Sequence, residues 1–145
     1  MTVQVEAGEF EDLYVSTGVR QVRGRAERVT VAGGATAAVQ GIVSGPVTVE
    51  RGGKLCIDGL FTGTVERNDG LLVLAGQADL DLARRHGRIG IATGSVIRSR
   101  GRVWQLTDDG MLRALDGTDA GLVTRTDVDA GKVHYFDNVS PSVAD

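Results

Sequence analysis

The chain has 145 residues, of which 41% are hydrophobic and 4% aromatic, and its net charge is −3. That length suits one domain with an aliphatic core, the slight acidity gives no global attraction for nucleic acid, and no apolar run nears the roughly 18 residues of a membrane span. Glycine stands at 21 residues against two prolines, which excludes collagen-like and proline-rich disordered classes and predicts many bends between short valine-rich strands.

The N-terminal stretch "MTVQVEAGEFEDLYV" has no basic segment followed by an apolar one, so no signal peptide is expected and the protein is read as cytoplasmic. Val3 and Val5 alternate as in a strand, and residues 1–21 are assigned to an N-terminal cap or strand. "RQVRGRAER" follows, placing Arg20, Arg23, Arg25 and Arg28 close together, and "RSRGR" later adds Arg98, Arg100 and Arg102. In a chain of net negative charge these clusters read first as solvated faces, with a basic patch for an acidic partner or a membrane surface as the alternative.

From about Val29 to Arg98 one unit recurs. Gly41, Gly59 and Gly76 keep nearly one spacing, and Gly53, Gly70 and Gly87 keep it too. Apolar pairs follow the same step: Ala37 and Val39, then Leu55 and Ile57, Leu72 and Leu74, Ile89 and Ile91. Val29 and Val31 are echoed by Val47 and Val49, weakly by Val65, and then by Leu80 and Leu82. A strand of three or four residues is not stable alone, but stacked on its equivalent in the next unit it gains a full parallel ladder. The expected fold is all-β: a three-sided parallel β-helix, or β-solenoid, of about 17–18 residues per turn, with glycines at the corners and capping segments at both ends. Regular rungs are expected over about 22–104, irregular C-terminal rungs or a cap over 105–138, and a tail over 139–145.

Two alternatives stand beside this. "DG" at Asp58–Gly59, Asp69–Gly70, Asp109–Gly110 and Asp116–Gly117 would suit the hairpins of an antiparallel sandwich. The sixfold recurrence Val31, Ala37, Val43, Val49, Leu55, Phe61 would suit a left-handed coil, but the shorter turns that follow break that register, so a right-handed coil is favoured.

The stretch "GIVSGPVTVERGGKLCIDGLFTGTV" resembles the bactofilins, polymer-forming bacterial cytoskeletal proteins: a Gly-apolar-x-Gly corner, an alternating Val strand, a charged turn and an alternating apolar strand. The likeness spans about Val29 to Ile97. It implies a short-rung right-handed β-helix that acts by stacking and binding, without catalysis. Bactofilin cores carry flexible proline-rich or basic tails, whereas this chain has longer, better-patterned ends.

Those ends hold four of the six aromatics: Phe10, Tyr14, Tyr135 and Phe136. A β-helix leaves backbone groups unpaired at each end, so aromatic residues there suit a lid or a contact with a partner or second copy. "RVWQLTDDGMLRALDG" reads as strand, turn, strand, forming a longer rung or a hairpin, and "LVTRTDVDAGKVHYFDNV" reads the same way. Trp104 with Arg102, and Tyr135, are the further candidates for a partner contact.

Chemical motifs are mostly negative. Cys56, the one cysteine, has no base near it and lies on the opposite strand face from Leu55 and Ile57. "RGGKL" lacks the spacing of a phosphate loop, and "GRIGIATG" is not a dinucleotide fingerprint. Asp79 with Asp81, and Asp127 with Asp129, share strand faces but bring no further oxygen ligands, so they read as solvated. His86 and His134 lie too far apart for a zinc site, and "NVS" at Asn138 reads as chance. No catalytic residue, metal, cofactor, small-molecule substrate or nucleic-acid partner is expected, and a membrane surface is a possible partner without support in the sequence. The leading function is a non-enzymatic β-helical scaffold or interaction protein whose partner is another protein or itself, self-assembling as bactofilins do. The alternatives are a protein-binding module, such as an immunity protein neutralising a bacterial toxin, and a hexapeptide-repeat acyltransferase using His86.

Overall fold

Short alternating segments become strands here because each finds a parallel partner one winding away. The computed structural model describes residues 3–81, 87–99, 101–107, 112–114, 127–129 and 133–136. Its strands are β1 (Val3–Val15), β2 (Val19–Val31), β3 (Thr36–Val43), β4 (Pro46–Val49), β5 (Lys54–Phe61), β6 (Thr64–Asn68), β7 (Leu71–Asp79), β8 (Arg88–Ala92), β9 (Val96–Ser99), β10 (Arg102–Leu106), β11 (Leu112–Ala114), β12 (Asp127–Asp129) and β13 (Val133–Phe136). They build a β-solenoid of about five turns, with no helix among the described residues.

The register measures each winding. Val3 pairs with Val19, Val19 with Thr36, Thr36 with Lys54, Lys54 with Leu71 and Leu71 with Arg88, all parallel and all at nearly the same step along the chain. The antiparallel sandwich is therefore excluded for the body of the molecule. Residues 3–15, assigned from sequence to a cap or strand, form the first rung.

In-register side chains make columns through the interior. One runs Ala37, Leu55, Leu72, Ile89 and another Val22, Val39, Ile57, Leu74, Ile91, every member 2% exposed or less. A third runs Ala26, Val43, Phe61, Ala78, Ile97, with Phe10 packed against it from the first rung. Full burial of one aliphatic side chain contributes about 1.5–3 kcal/mol, so these columns carry the fold. The weak third copy of the valine pair has a local cause. A bulge after Val47 and Val65 pairs Thr48 with Arg67 and Val49 with Asn68, leaving Glu66 extra.

One corner is a column of glycines: Gly8, Gly24, Gly41, Gly59 and Gly76 stack in register, all with φ between 102° and 144°. A Cβ on any of the last four would overlap the carbonyl oxygen of the glycine one rung before. The column stops at Gly76. Leu74 pairs with Ile91, and the same step would set Gln77 against Gly94; its partner is Val96 instead, so the chain is longer at this corner. There the Gly76 N–H donates to the buried Ser95 Oγ at 3.2 Å, where the earlier rungs stack glycine on glycine.

Beyond this point pairing reverses. β10 returns antiparallel on β9, β11 antiparallel on β10, and β13 antiparallel on β8 with β12 on its far side. Trp104 sits opposite Ile97 and closes the Phe61 column. The C-terminal end of the solenoid is thus covered by reversed strands.

Candidate functional site

The two ends of the coil differ. At the C-terminal end, β11 and β12 are three residues each. At the N-terminal end, β1 is 13 residues long and, among the described residues, pairs with β2 alone. Its other edge is a row of backbone donors and acceptors that carries no strand among the described residues.

The mouth of the coil at this end is polar. Along the Leu55–Leu72–Ile89 column the position in β2 is Arg20, and along the Ile57–Leu74 column the position in β1 is Glu6. A charge at a core-facing position must be paired and hydrogen-bonded. Arg20 meets that demand three ways. Its Nε and one terminal nitrogen donate to the two Glu6 carboxylate oxygens at 3.1 and 2.8 Å. The other terminal nitrogen donates to the Tyr14 carbonyl at 3.1 Å, and the guanidinium carbon lies 5.9 Å from the centre of the Phe10 ring. The bidentate pair holds the Glu6 carboxyl below its ordinary range, because Arg20 hydrogen-bonds its charged form. One arginine thus ties together the three stretches of the first rung around the opening.

The outer face of this rung is acidic. β1 carries Glu6, Glu9, Glu11 and Asp12 and no basic residue, whereas β2 carries Arg20, Arg23, Arg25 and Arg28 against Glu27. Register sets Glu9 opposite Arg25 and Asp12 opposite Arg28. Glu9, Glu11 and Asp12 are exposed and have no ion-pair partner within 4.0 Å among the described residues. Glu11 shares a surface groove with Glu9, Phe10, Arg25 and Glu27.

Of the residues nominated from sequence, the structure brings Phe10 and Tyr14 together around Arg20, with Phe10 half-buried and Tyr14 53% exposed. Trp104 is 2% exposed and packs in the core, with the Arg102 guanidinium 5.9 Å from its ring centre. Tyr135 and Phe136 lie at the opposite end, on β13, with their backbones opposite Gly90 and Ile89; their side chains lie outside the described residues. The two aromatic pairs therefore do not share a surface. His86, Arg100 and the tail 139–145 lie outside the described residues. Cys56 is half-buried, and burial pushes its thiol up despite the neighbouring Lys54.

Glu6 and the exposed carboxylates were not singled out by sequence reading, and Arg20, read there as part of a solvated face, turns to the mouth of the coil because Glu6 pairs with it. Their signal was present in the offset of one winding that separates Glu9 from Arg25 and Asp12 from Arg28. Among the described residues no three His, Cys, Asp or Glu side chains are grouped to hold a metal, and no helix is long and apolar enough to cross a membrane. Comparison of the chain with protein-family models, curated proteins and solved structures finds no match.

Proposed function

We propose that this chain is a non-enzymatic β-solenoid scaffold that recognises another polypeptide through its first rung. The observation that carries the reading is the asymmetry of the ends among the described residues: a 13-residue strand edge without a partner strand at one, reversed strands at the other. A long unpaired edge is a template for strand addition, and a protein keeps one only where it is used or guarded. An open-ended filament needs both ends to accept further rungs, and the reversed, three-residue strands at the C-terminal end favour a particle that ends. A neutralising role of the immunity-protein kind would use the same edge. The test is cross-linking in the cells that make the protein, followed by mapping of the cross-links and electron microscopy of the pure protein over a range of concentrations. The expected result is single particles, with cross-links from residues 6–20 to another protein. Filaments, or cross-links confined to the lateral faces, would overturn the reading.

A further inference from the structure

The chemistry of the first rung narrows the class of partner. We infer that the free edge of β1 receives an extended segment of another protein that is rich in arginine or lysine, laid down as one more rung; this rests on the reading of the first rung as the recognition surface. Three observations converge on it.

β1 itself shows which strand it accepts. On its occupied edge lies β2, "VRQVRGRAERVTV", an alternating strand with four arginines. Charged side chains directly opposite one another across paired strands favour unlike sign, and Glu9 and Asp12 face Arg25 and Arg28. Yet those side chains make no ion pair within 4.0 Å among the described residues, and Glu11 shares its groove with a second carboxylate, Glu27. The acidic row is therefore not neutralised by the strand beneath it, and a basic strand on the open side completes it.

The same charges disfavour a second copy. Pairing two β1 edges about a two-fold axis near residues 8–10 would set the exposed Glu9, Glu11 and Asp12 of one copy against those of the other, with no basic residue in either strand and each Glu6 already held by Arg20. Like charges opposite one another destabilise a ladder. The acidic row thus acts against self-pairing while leaving the edge open to a strand of opposite charge.

The backbone has room for the addition. At Gly24, Gly41, Gly59 and Gly76 the preceding rung fills the space a Cβ would take, whereas at Gly8 nothing lies within 4 Å. Gly8 presents the same bend as the glycines behind it, with φ of 135°, to a rung not found among the described residues. A segment with glycine or another small residue at that register position would seat there.

The experiment uses the full chain and a labelled synthetic peptide with the sequence of residues 19–31, read by fluorescence anisotropy. Binding is expected at low salt, weakening as salt rises from about 50 to about 500 mM, since exposed pairs are screened. The same peptide with its four arginines replaced by glutamate is expected not to bind. A Glu9→Gln/Glu11→Gln/Asp12→Asn chain, checked for an unchanged β-sheet circular dichroism spectrum, is expected to bind the basic peptide about tenfold more weakly, the sum of three exposed charge pairs. Two further peptides are N-methylated at alternate positions, one series on even and one on odd residues. Only one set of amides faces β1 in a ladder, so one series should abolish binding and the other preserve it. Equal binding by both series, by the glutamate peptide or by the neutralised chain would overturn the proposal, as would no binding of the basic peptide at low salt. Should the peptides fail while cellular cross-links still map to residues 6–20, the basic-strand inference falls and the recognition surface stands. Cross-links confined elsewhere remove both.

Discussion

Arg20 occupies a place where the rungs behind it put Ala37, Leu55 and Leu72, and it is tolerated because Glu6, Phe10 and the Tyr14 carbonyl receive it. Its side chain is 25% exposed and that of Glu6 33%, so the pair closes a wet mouth, not a dry core. The carboxyl of Glu6 is held below its usual value near 4.5, so the stability this pair contributes is complete above that value and is lost as pH falls through the depressed one. Glu6→Gln is therefore expected to lose less thermal stability than the parent between pH 7 and pH 3, measured by midpoints of unfolding at each pH. Cys56 points the other way. Burial raises its thiol, so it stays protonated at neutral pH and should alkylate with iodoacetamide more slowly than a free cysteine, its rate rising on unfolding in urea. Sequence reading named Phe10 and Tyr14 for this end but passed over Arg20, because an arginine in "RQVRGRAER" looks like every other solvated arginine until the register shows which of them faces inward.

At the scale of the strand, the corner glycines and the apolar pairs were readable because both repeat at one spacing. Leu55, Leu72 and Ile89 stack as that spacing requires. The Ala37–Val39 pair has no full apolar copy in the first two strands, which put Gln4 and Glu6, then Arg20 and Val22, at those positions, whereas Leu13 and Val15 do continue the Val29–Val31 pair; Gly8 and Gly24, one winding apart, mark the same rung. The turn signals "DDG" and "DAG" foretold strand pairs, and β10–β11 and β12–β13 are antiparallel pairs. What no local pattern carries is the return of β13 onto β8, a contact set by packing between residues far apart in the chain. Gly59→Ala is expected to cost at least about 2 kcal/mol, since a left-handed φ and a backbone collision act together. Ser95→Ala removes the acceptor of the Gly76 N–H and should cost about 0.5–1.5 kcal/mol, the net worth of a part-buried hydrogen bond whose donor water can still reach. Both are checked by urea denaturation.

Across the whole molecule, the parallel ladder grows in one direction and is stopped by reversal. Cutting the chain after Thr107 would remove β11, β12 and β13 and bare the edge of β8. That truncated protein is expected to associate as its concentration rises, seen by light scattering, while the full chain does not. A truncated chain that stays monodisperse would show that β13 is not what closes this end. The glycine corner has a consequence for how such a gene can change length. Each glycine from Gly24 to Gly76 is locked against the carbonyl of its predecessor, so a residue slipped into a strand shifts that strand's register, whereas one taken up as a bulge, as Glu66 is, leaves the next rung in phase. Tandem copying of a stretch such as residues 54–70 keeps phase and adds a winding with its own aliphatic layer. Ancestral lengthening or shortening within the strands of this coil is thereby confined to whole windings, and chimaeras spliced at equivalent register positions should fold where those spliced out of register within a strand do not.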